Sequence, residues 1–161
     1  MWSIISVLVE NKPGVLFKIT HLFRSRNYNI DSISVGVTEN PEISRMTITT
    51  AADEKQLTQI IKQLDKLIDT IEVKLLDEKK SIYRELVLMK IRINKPSDIK
   101  EITDLANAFK CDVHDVRKSS IIIEITSTPD RINAFEELVR GYGILEVSRT
   151  GICALERGHD Q

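Results

Sequence analysis

Asn11-Lys12-Pro13-Gly14 stands between a β-branched run, Ile4 to Val9, and a stretch in which Val15, Leu16, Ile19, Leu22 and Phe23 recur at helical spacing. These four residues offer chemistry that a plain connection does not need. A helix start leaves backbone N–H groups without intrahelical partners and carries partial positive charge, which suits a carboxylate. Gly14 lets such a group approach the chain with no Cβ in the way, Pro13 stiffens the turn, and Asn11 presents an amide donor and a carbonyl acceptor together. That combination fits an α-amino acid, which carries an acceptor and a donor group of its own. On spacing alone a second reading stands beside it, in which Asn11 only caps the helix and Gly14 only permits its turn.

Other chemistry finds less material. Cys111 and Cys153 are the only cysteines, too few for a disulfide scaffold, and Cys111-Asp112-Val113-His114 lacks the matching second pair of a zinc site. The three histidines are dispersed, so no metal site and a structural, reduced role for both thiols are expected. A small hydrolase needs an activated nucleophile or a water held near a base. Asn11 and Arg24 could be offered, but no histidine, cysteine or carboxylate pair lies where it could cooperate with them. With 23 Lys+Arg against 24 Asp+Glu there is no global pull toward nucleic acid or acidic membranes. Met1-Trp2-Ser3-Ile4-Ile5 runs straight into a strand-like pattern with no basic leader and no long apolar run, which reads as a cytoplasmic protein with no membrane partner.

The scaffold around the turn is a repeated order of elements. Ile4 to Val9 is a strand, and the apolar stripe from Val15 to Phe23 a helix. Ile30 to Thr38 alternates, with Ile33, Val35 and Val37 on one face, turns around Glu39-Asn40-Pro41-Glu42, and alternates again from Arg45 to Ala51 as an antiparallel partner. Asp53 starts a second helix with Gln56 completing a capping box, and Leu57, Ile60, Ile61, Leu64, Leu67 and Ile68 form its apolar stripe. Ile71, Val73 and Leu75 supply a last strand. After the charged link Asp77-Glu78-Lys79-Lys80 the order begins again, with strands at Glu85–Ile93, Asp112–Arg117, Ile121–Thr126 and Ile144–Thr150. One helix is capped by Ser97 or Asp98; another opens on Thr128-Pro129, turns Ile132, Phe135, Leu138 and Val139 inward, and ends at Gly141 and Gly143. The fold class is α+β, two tandem ferredoxin-like βαββαβ domains over 1–77 and 82–158, with a tail at Glu156 to Gln161 too polar to need structure.

The fold leaves function open, because it carries RNA binding, ester hydrolysis, metal transfer and small-molecule sensing alike. An RNA-binding module stacks bases on aromatic side chains of its central strands, and Arg45-Met46-Thr47-Ile48-Thr49-Thr50 has none. A metal carrier wants paired thiols in the first loop, where this chain has Asn-Lys-Pro-Gly. A sensor of a small molecule fits the turn best.

The stretches "SVLVENKPGVL", "HLFRSRNYNIDSISVG", "SRMTITT" and "RTGICALERG" resemble the regulatory small subunit of acetolactate synthase, also called acetohydroxyacid synthase, over nearly the whole chain. The resemblance implies an ACT domain followed by a second ferredoxin-like domain. It implies a non-catalytic chain that activates a separate large subunit, the holder of thiamine diphosphate, Mg and FAD, and confers feedback inhibition in branched-chain amino-acid biosynthesis, usually by valine. Carried over by residue, the effector site comprises Asn11, Lys12, Pro13, Gly14, Val15 and Leu16, facing Asn29 and Ile30 of a second copy in a homodimer. Phe17-Lys18 and Ser127-Thr128-Pro129-Asp130 depart from the expected pattern. A stand-alone amino-acid-binding module and a small hydrolase are the competing classes. Asn94-Lys95-Pro96-Ser97-Asp98 repeats the frame of the first turn with a Cβ at the glycine position and a carboxylate at the helix start, which reads as a self-capped turn without a ligand.

Overall fold

Ser3–Glu10 (β1) alternates its faces, and Ile5, Val7 and Val9 turn together into a buried core. The computed structural model describes residues 2–159. After β1 come α1 (Val15–Ser25), β2 (Ser32–Val37), β3 (Ile43–Thr50), α2 (Glu54–Asp65) and β4 (Thr70–Leu76). The order then repeats as β5 (Ser81–Arg92), α3 (Ser97–Ala108), β6 (Asp112–Val116), β7 (Ser120–Ser127), α4 (Pro129–Val139) and β8 (Ile144–Glu156). Each βαββαβ set forms a four-stranded antiparallel sheet, ordered β2-β3-β1-β4 and β6-β7-β5-β8, so the expected fold class is the observed one.

In the first sheet β1 lies between β3 and β4, with Ser3 opposite Thr50 and Glu10 opposite Ile43. Val15, Ile19 and Phe23 of α1 and Ile60 and Leu64 of α2 cover one face of it. Asp53 and Gln56 make the capping box, the Gln56 N–H donating to the Asp53 carboxylate at 2.8 Å and the Asp53 N–H to the Gln56 amide oxygen at 3.1 Å. Two positions of the expected apolar stripes lie elsewhere. Ile68 falls beyond the end of α2 and is 89% exposed, and Leu16 points off the buried face of α1.

In the second sheet Val87, Met89 and Ile91 of β5 and Ile121, Ile123 and Ile125 of β7 pack with Ile102, Ala106, Ile132, Phe135 and Val139 from the helices. Leu138, expected inward, is exposed, because Ile132, Phe135 and Val139 already complete the buried stripe and Leu138 stands beside it. Thr128 occupies the cap position of α4 without a side-chain hydrogen bond, and Pro129 follows in the first turn as expected.

The chain divides into two compact units, one running to Tyr83 and resumed from Ile152, the other Arg84–Gly151. The last strand, expected to stop at Thr150, therefore continues through residues that pack with the first unit. Ile4, Leu76, Ile152 and Ala154 form a buried cluster against Trp2 and Tyr83. The Ser34 hydroxyl donates to the Ile152 carbonyl at 2.8 Å, and the Arg157 N–H to the Lys80 carbonyl at 2.7 Å. The tail from Glu156 is thus ordered through Arg157 by backbone pairing that polar composition does not disclose; positions 160 and 161 lie outside the described residues.

Ile152→Ala removes a buried side chain from this cluster and should cost about 2–5 kcal/mol, as buried aliphatic truncations do. Amide hydrogen exchange locates the loss: faster exchange in residues 4–9 is expected, with residues 121–125 left protected.

Candidate functional site

The turn after β1 is held by its neighbours on three sides. The Glu10 N–H donates to the Asp69 carbonyl at 2.9 Å, the Asn11 N–H to the Glu42 carbonyl at 2.7 Å, and the Lys12 N–H to the Glu10 carbonyl at 2.9 Å. The Asn11 side-chain amide donates to the Pro41 carbonyl at 3.0 Å. Asn11 therefore joins the β1–α1 turn to the β2–β3 turn and does not cap α1, which removes the simpler of the two readings of this residue. Gly14 takes the cap position with φ 85° and ψ −7°, a left-handed conformation that glycine adopts without steric cost.

Nothing else closes the helix start. Gly14 has no side chain to offer, the first turn of α1 contains no acidic residue, and the Leu16 and Phe17 N–H groups have no hydrogen-bond partner among the described residues. Val15 anchors the turn in the core, while Phe17 is 70% exposed and stacks on His21 with ring centres 5.7 Å apart. A Cβ built at Gly14 meets no atom within 4 Å, so the space beside the turn is open.

The charges around the turn are paired. Lys12 Nζ lies 2.8 Å from Glu10 Oε2 on the surface. Lys18 Nζ donates to Asp69 Oδ2 at 2.7 Å, and Asp69 is 8% exposed. The hydrogen bond from Lys18 holds the Asp69 carboxyl below the ordinary aspartate range against the opposing effect of desolvation. The hydrogen bond to Glu10 and its charge raise Lys12. Each of these two ion pairs is formally neutral.

Asn29 and Ile30 lie at the other end of the same sheet. The Thr50 hydroxyl donates to the Asn29 carbonyl at 2.7 Å, and the Asn29 amide donates to Asp31 Oδ1 at 3.1 Å. Ile30 packs half-buried against the core. Thr50 pairs with Ser3, whereas the turn follows Glu10, so the two groups are separated by the length of β1, about 23 Å at 3.3 Å per residue. Residues 11–16 come together within one chain; Asn29 and Ile30 do not join them there. Beside Asn29 is a shallow hollow of about 210 Å³ edged by Asn27, Tyr28, Thr50 and Gln56.

The corresponding turn of the second unit is built differently. The Asn94 side-chain amide donates to the Tyr142 carbonyl at 2.9 Å, as Asn11 does to Pro41. Asp98, 2% exposed, accepts from the Asn94 N–H at 2.8 Å and the Lys95 N–H at 3.1 Å. The expectation that Ser97 or Asp98 caps α3 is corrected: Pro96 holds the cap position without a side-chain bond, and Asp98 reaches back to the turn because two free N–H groups face it there.

The thiol of Cys111 is buried in the second core and pushed up to about 11 by desolvation, in keeping with a structural role. His114 is not isolated, as its sequence position suggests; Glu124 of the neighbouring strand faces it at 2.7 Å with Asp112 nearby. The register of two strands brings these residues together, and spacing along one strand could not reveal it.

With the turn, its open helix and the double βαββαβ order established, comparison with known proteins defines the class. Residues 5–72 match the family described as AHAS small subunit-like ACT domain, so the first unit is an ACT domain; residues 84–158 match the family described as small subunit of acetolactate synthase. The probable acetolactate synthase small subunit of Archaeoglobus fulgidus is 49% identical over 156 residues, 96% of each chain. The acetolactate synthase small subunit of Mycolicibacterium smegmatis is 41% identical over 96% of this chain and 90% of its own length. The crystal structure of the acetolactate synthase small subunit from Thermotoga maritima superposes with a TM-score of 0.90 over 99% of both chains at 37% identity. The chain belongs to the acetolactate synthase small-subunit family.

Two measurements test the geometry of the turn. Gly14→Ala imposes a left-handed backbone on a residue with a Cβ, at a site where that Cβ touches nothing, so the whole cost is conformational, about 1–2 kcal/mol by denaturant titration. Lys18→Met removes the partner of Asp69. Because the folded-state pKa of Asp69 is depressed, the stability it supplies is present above the unfolded aspartate value of about 3.9 and is lost as pH falls through the folded value. Urea midpoints of Lys18→Met should lie below the parent at pH 7 and converge with it toward pH 2.

Proposed function

We propose that this chain is a regulatory subunit that activates a separate acetolactate synthase catalytic subunit and confers feedback inhibition by a branched-chain amino acid, valine in the first instance. The chain is non-catalytic and acts in the cytoplasm. The cofactors of the reaction, thiamine diphosphate, Mg and FAD, belong to the catalytic partner, and this chain holds none of them.

One observation carries the reading. The open helix start at Asn11–Leu16 and the pair Asn29–Ile30 lie at opposite ends of one sheet in which β2 is one of the two edge strands. Val37, at the far end of β2, pairs with Ser44 beside the Asn11 turn, whereas Ser32, at its near end, pairs with Thr49 beside Asn29. If two copies pair antiparallel along β2 about a two-fold axis, the beginning of each β2 meets the end of the other. Asn29 and Ile30 of one copy then face residues 11–16 of its partner, twice over, as an isologous interface requires. An unpaired edge with Val35 and Val37 exposed suits that contact, as do Leu16 and Phe17 on the same side of the turn.

In such a pocket the effector's carboxylate meets the Leu16 and Phe17 N–H groups at the positive end of α1. Asn11, fixed through Pro41, presents its carbonyl oxygen to the ammonium group. The side chain lies among apolar residues, where one methylene is worth about 1–3 kcal/mol, enough to rank valine, leucine and isoleucine without excluding any. A ligand held between two subunits binds differently to each arrangement of them, and that differential contact is what allostery requires.

Gly14→Asp places a carboxylate where the effector's own should sit, and aspartate tolerates the left-handed backbone better than most residues. Inhibition by valine should be lost while activation of the catalytic subunit survives; full inhibition by the variant would remove the site from this turn. Mixed dimers of an Asn11→Ala chain and an Asn29→His chain should recover one working pocket of two. Absence of that recovery would argue against a site shared between subunits.

A further inference from the structure

Strand β6 slips in its pairing with β7 between Val113 and Asp115, which makes His114 the extra residue of a β-bulge. Asp112 stands directly opposite Glu124 in that register, and like charges so placed repel. Among the described residues the Asp112 side chain has no hydrogen bond or ion pair, while the neighbouring Arg117 is spent on Asp115 at 3.1 Å. His114 Nε2 lies 2.7 Å from Glu124 Oε1. One ligand atom from each of Asp112, His114 and Glu124 falls within 4.8 Å of the others.

We propose that Asp112, His114 and Glu124 bind a divalent cation of the zinc class on the β6 edge of the second sheet. The donor set is one imidazole and two carboxylates. Magnesium and calcium prefer oxygen throughout, whereas zinc accepts nitrogen and oxygen together. Zinc bonds of 2.0–2.1 Å set tetrahedral donors about 3.3 Å apart. The three groups bracket that spacing, from 2.7 Å in one pair to a limit of 4.8 Å. Asp112 and His114 are exposed and Glu124 is half-buried, so small rotations of the first two close the set, and water completes the coordination. The bound ion relieves the repulsion between Asp112 and Glu124. It also ties the edge strand β6 to β7 at the point where the bulge has interrupted their backbone pairing. This site is separate from the effector turn and does not depend on the function proposed for it.

The chain has three histidines, which makes the test direct. Zinc is titrated into the full-length protein carrying Cys153→Ser, which removes the exposed thiol as a competitor, and binding is followed by calorimetry and by the imidazole resonances. One zinc per chain is expected, shifting His114 while His21 and His159 stay in place. His114→Asn, Asp112→Asn and Glu124→Gln should each weaken binding at least tenfold, the scale at which even a lost outer-shell partner is felt. Zinc should also raise the thermal midpoint of the parent but not of His114→Asn. Equal shifts at all three histidines, unchanged affinity in His114→Asn, or magnesium binding as tightly as zinc would overturn the proposal.

Discussion

The register of β1 between β3 and β4 sets the geometry of the whole first unit. Ile5, Val7 and Val9 face the helices, and a slip of one residue would send all three to the opposite face, so the hydrophobic pattern holds the strand in place. Once Glu10 is opposite Ile43, the turn after it must lie beside Pro41 and Glu42. Once Ser3 is opposite Thr50, Asn29 must lie at the far end. The core thus sets the separation of two groups that each meet it at only one residue, Val15 and Ile30. Function between two copies, if it uses both groups, inherits its geometry from packing inside each one.

The turn also needs rigidity, and polar contacts supply it. Asp69 contributes twice, its carbonyl receiving the Glu10 N–H and its carboxylate receiving Lys18 from α1. A nearly buried carboxylate is costly unless paired, so Lys18 has a role that its sequence position alone did not disclose. The strand, the helix and the connection before β4 are fastened at one residue. The free N–H groups of Leu16 and Phe17 are therefore presented from a fixed frame, which reduces the ordering cost of binding anything there.

Much of this was legible in the sequence because local signals agreed with the fold. The alternation of β1, the Asp53-Gln56 capping box and the Pro129 helix start each named an element that exists. The misses have physical causes. Ile68 continued an apolar spacing past the point where α2 ends, and Leu138 matched the helical period but stood beside a stripe already filled. The last strand was expected to stop at Thr150 because the partners of Ile152 and Ala154, Ile4 and Leu76, lie far away in sequence, and backbone pairing at Arg157 leaves no mark on composition. At the site, Gly14 was legible from its type. Asn11's bond to Pro41 and Lys18's to Asp69 span 30 and 51 residues, beyond what a one-dimensional reading can assign.

The two first turns of the chain show how little sequence separates an uncapped helix start from one with a carboxylate folded against its turn. Both come after a strand, both carry Asn-Lys-Pro, and in both the asparagine amide donates to a carbonyl of a distant loop, Pro41 or Tyr142. The frame is therefore shared, and the difference lies in the residues just past the proline. Gly14 opens α1 with a left-handed residue and leaves the next N–H groups bare. At the second turn Asp98 folds its carboxylate back onto two N–H groups and is itself buried in doing so. Those donors are the Asn94 and Lys95 N–H groups of the turn itself, and displacing the carboxylate from them would leave Asp98 buried without partners. One glycine and one aspartate thus give the same frame two different helix starts, one with bare N–H groups and one with a buried carboxylate folded against its own turn.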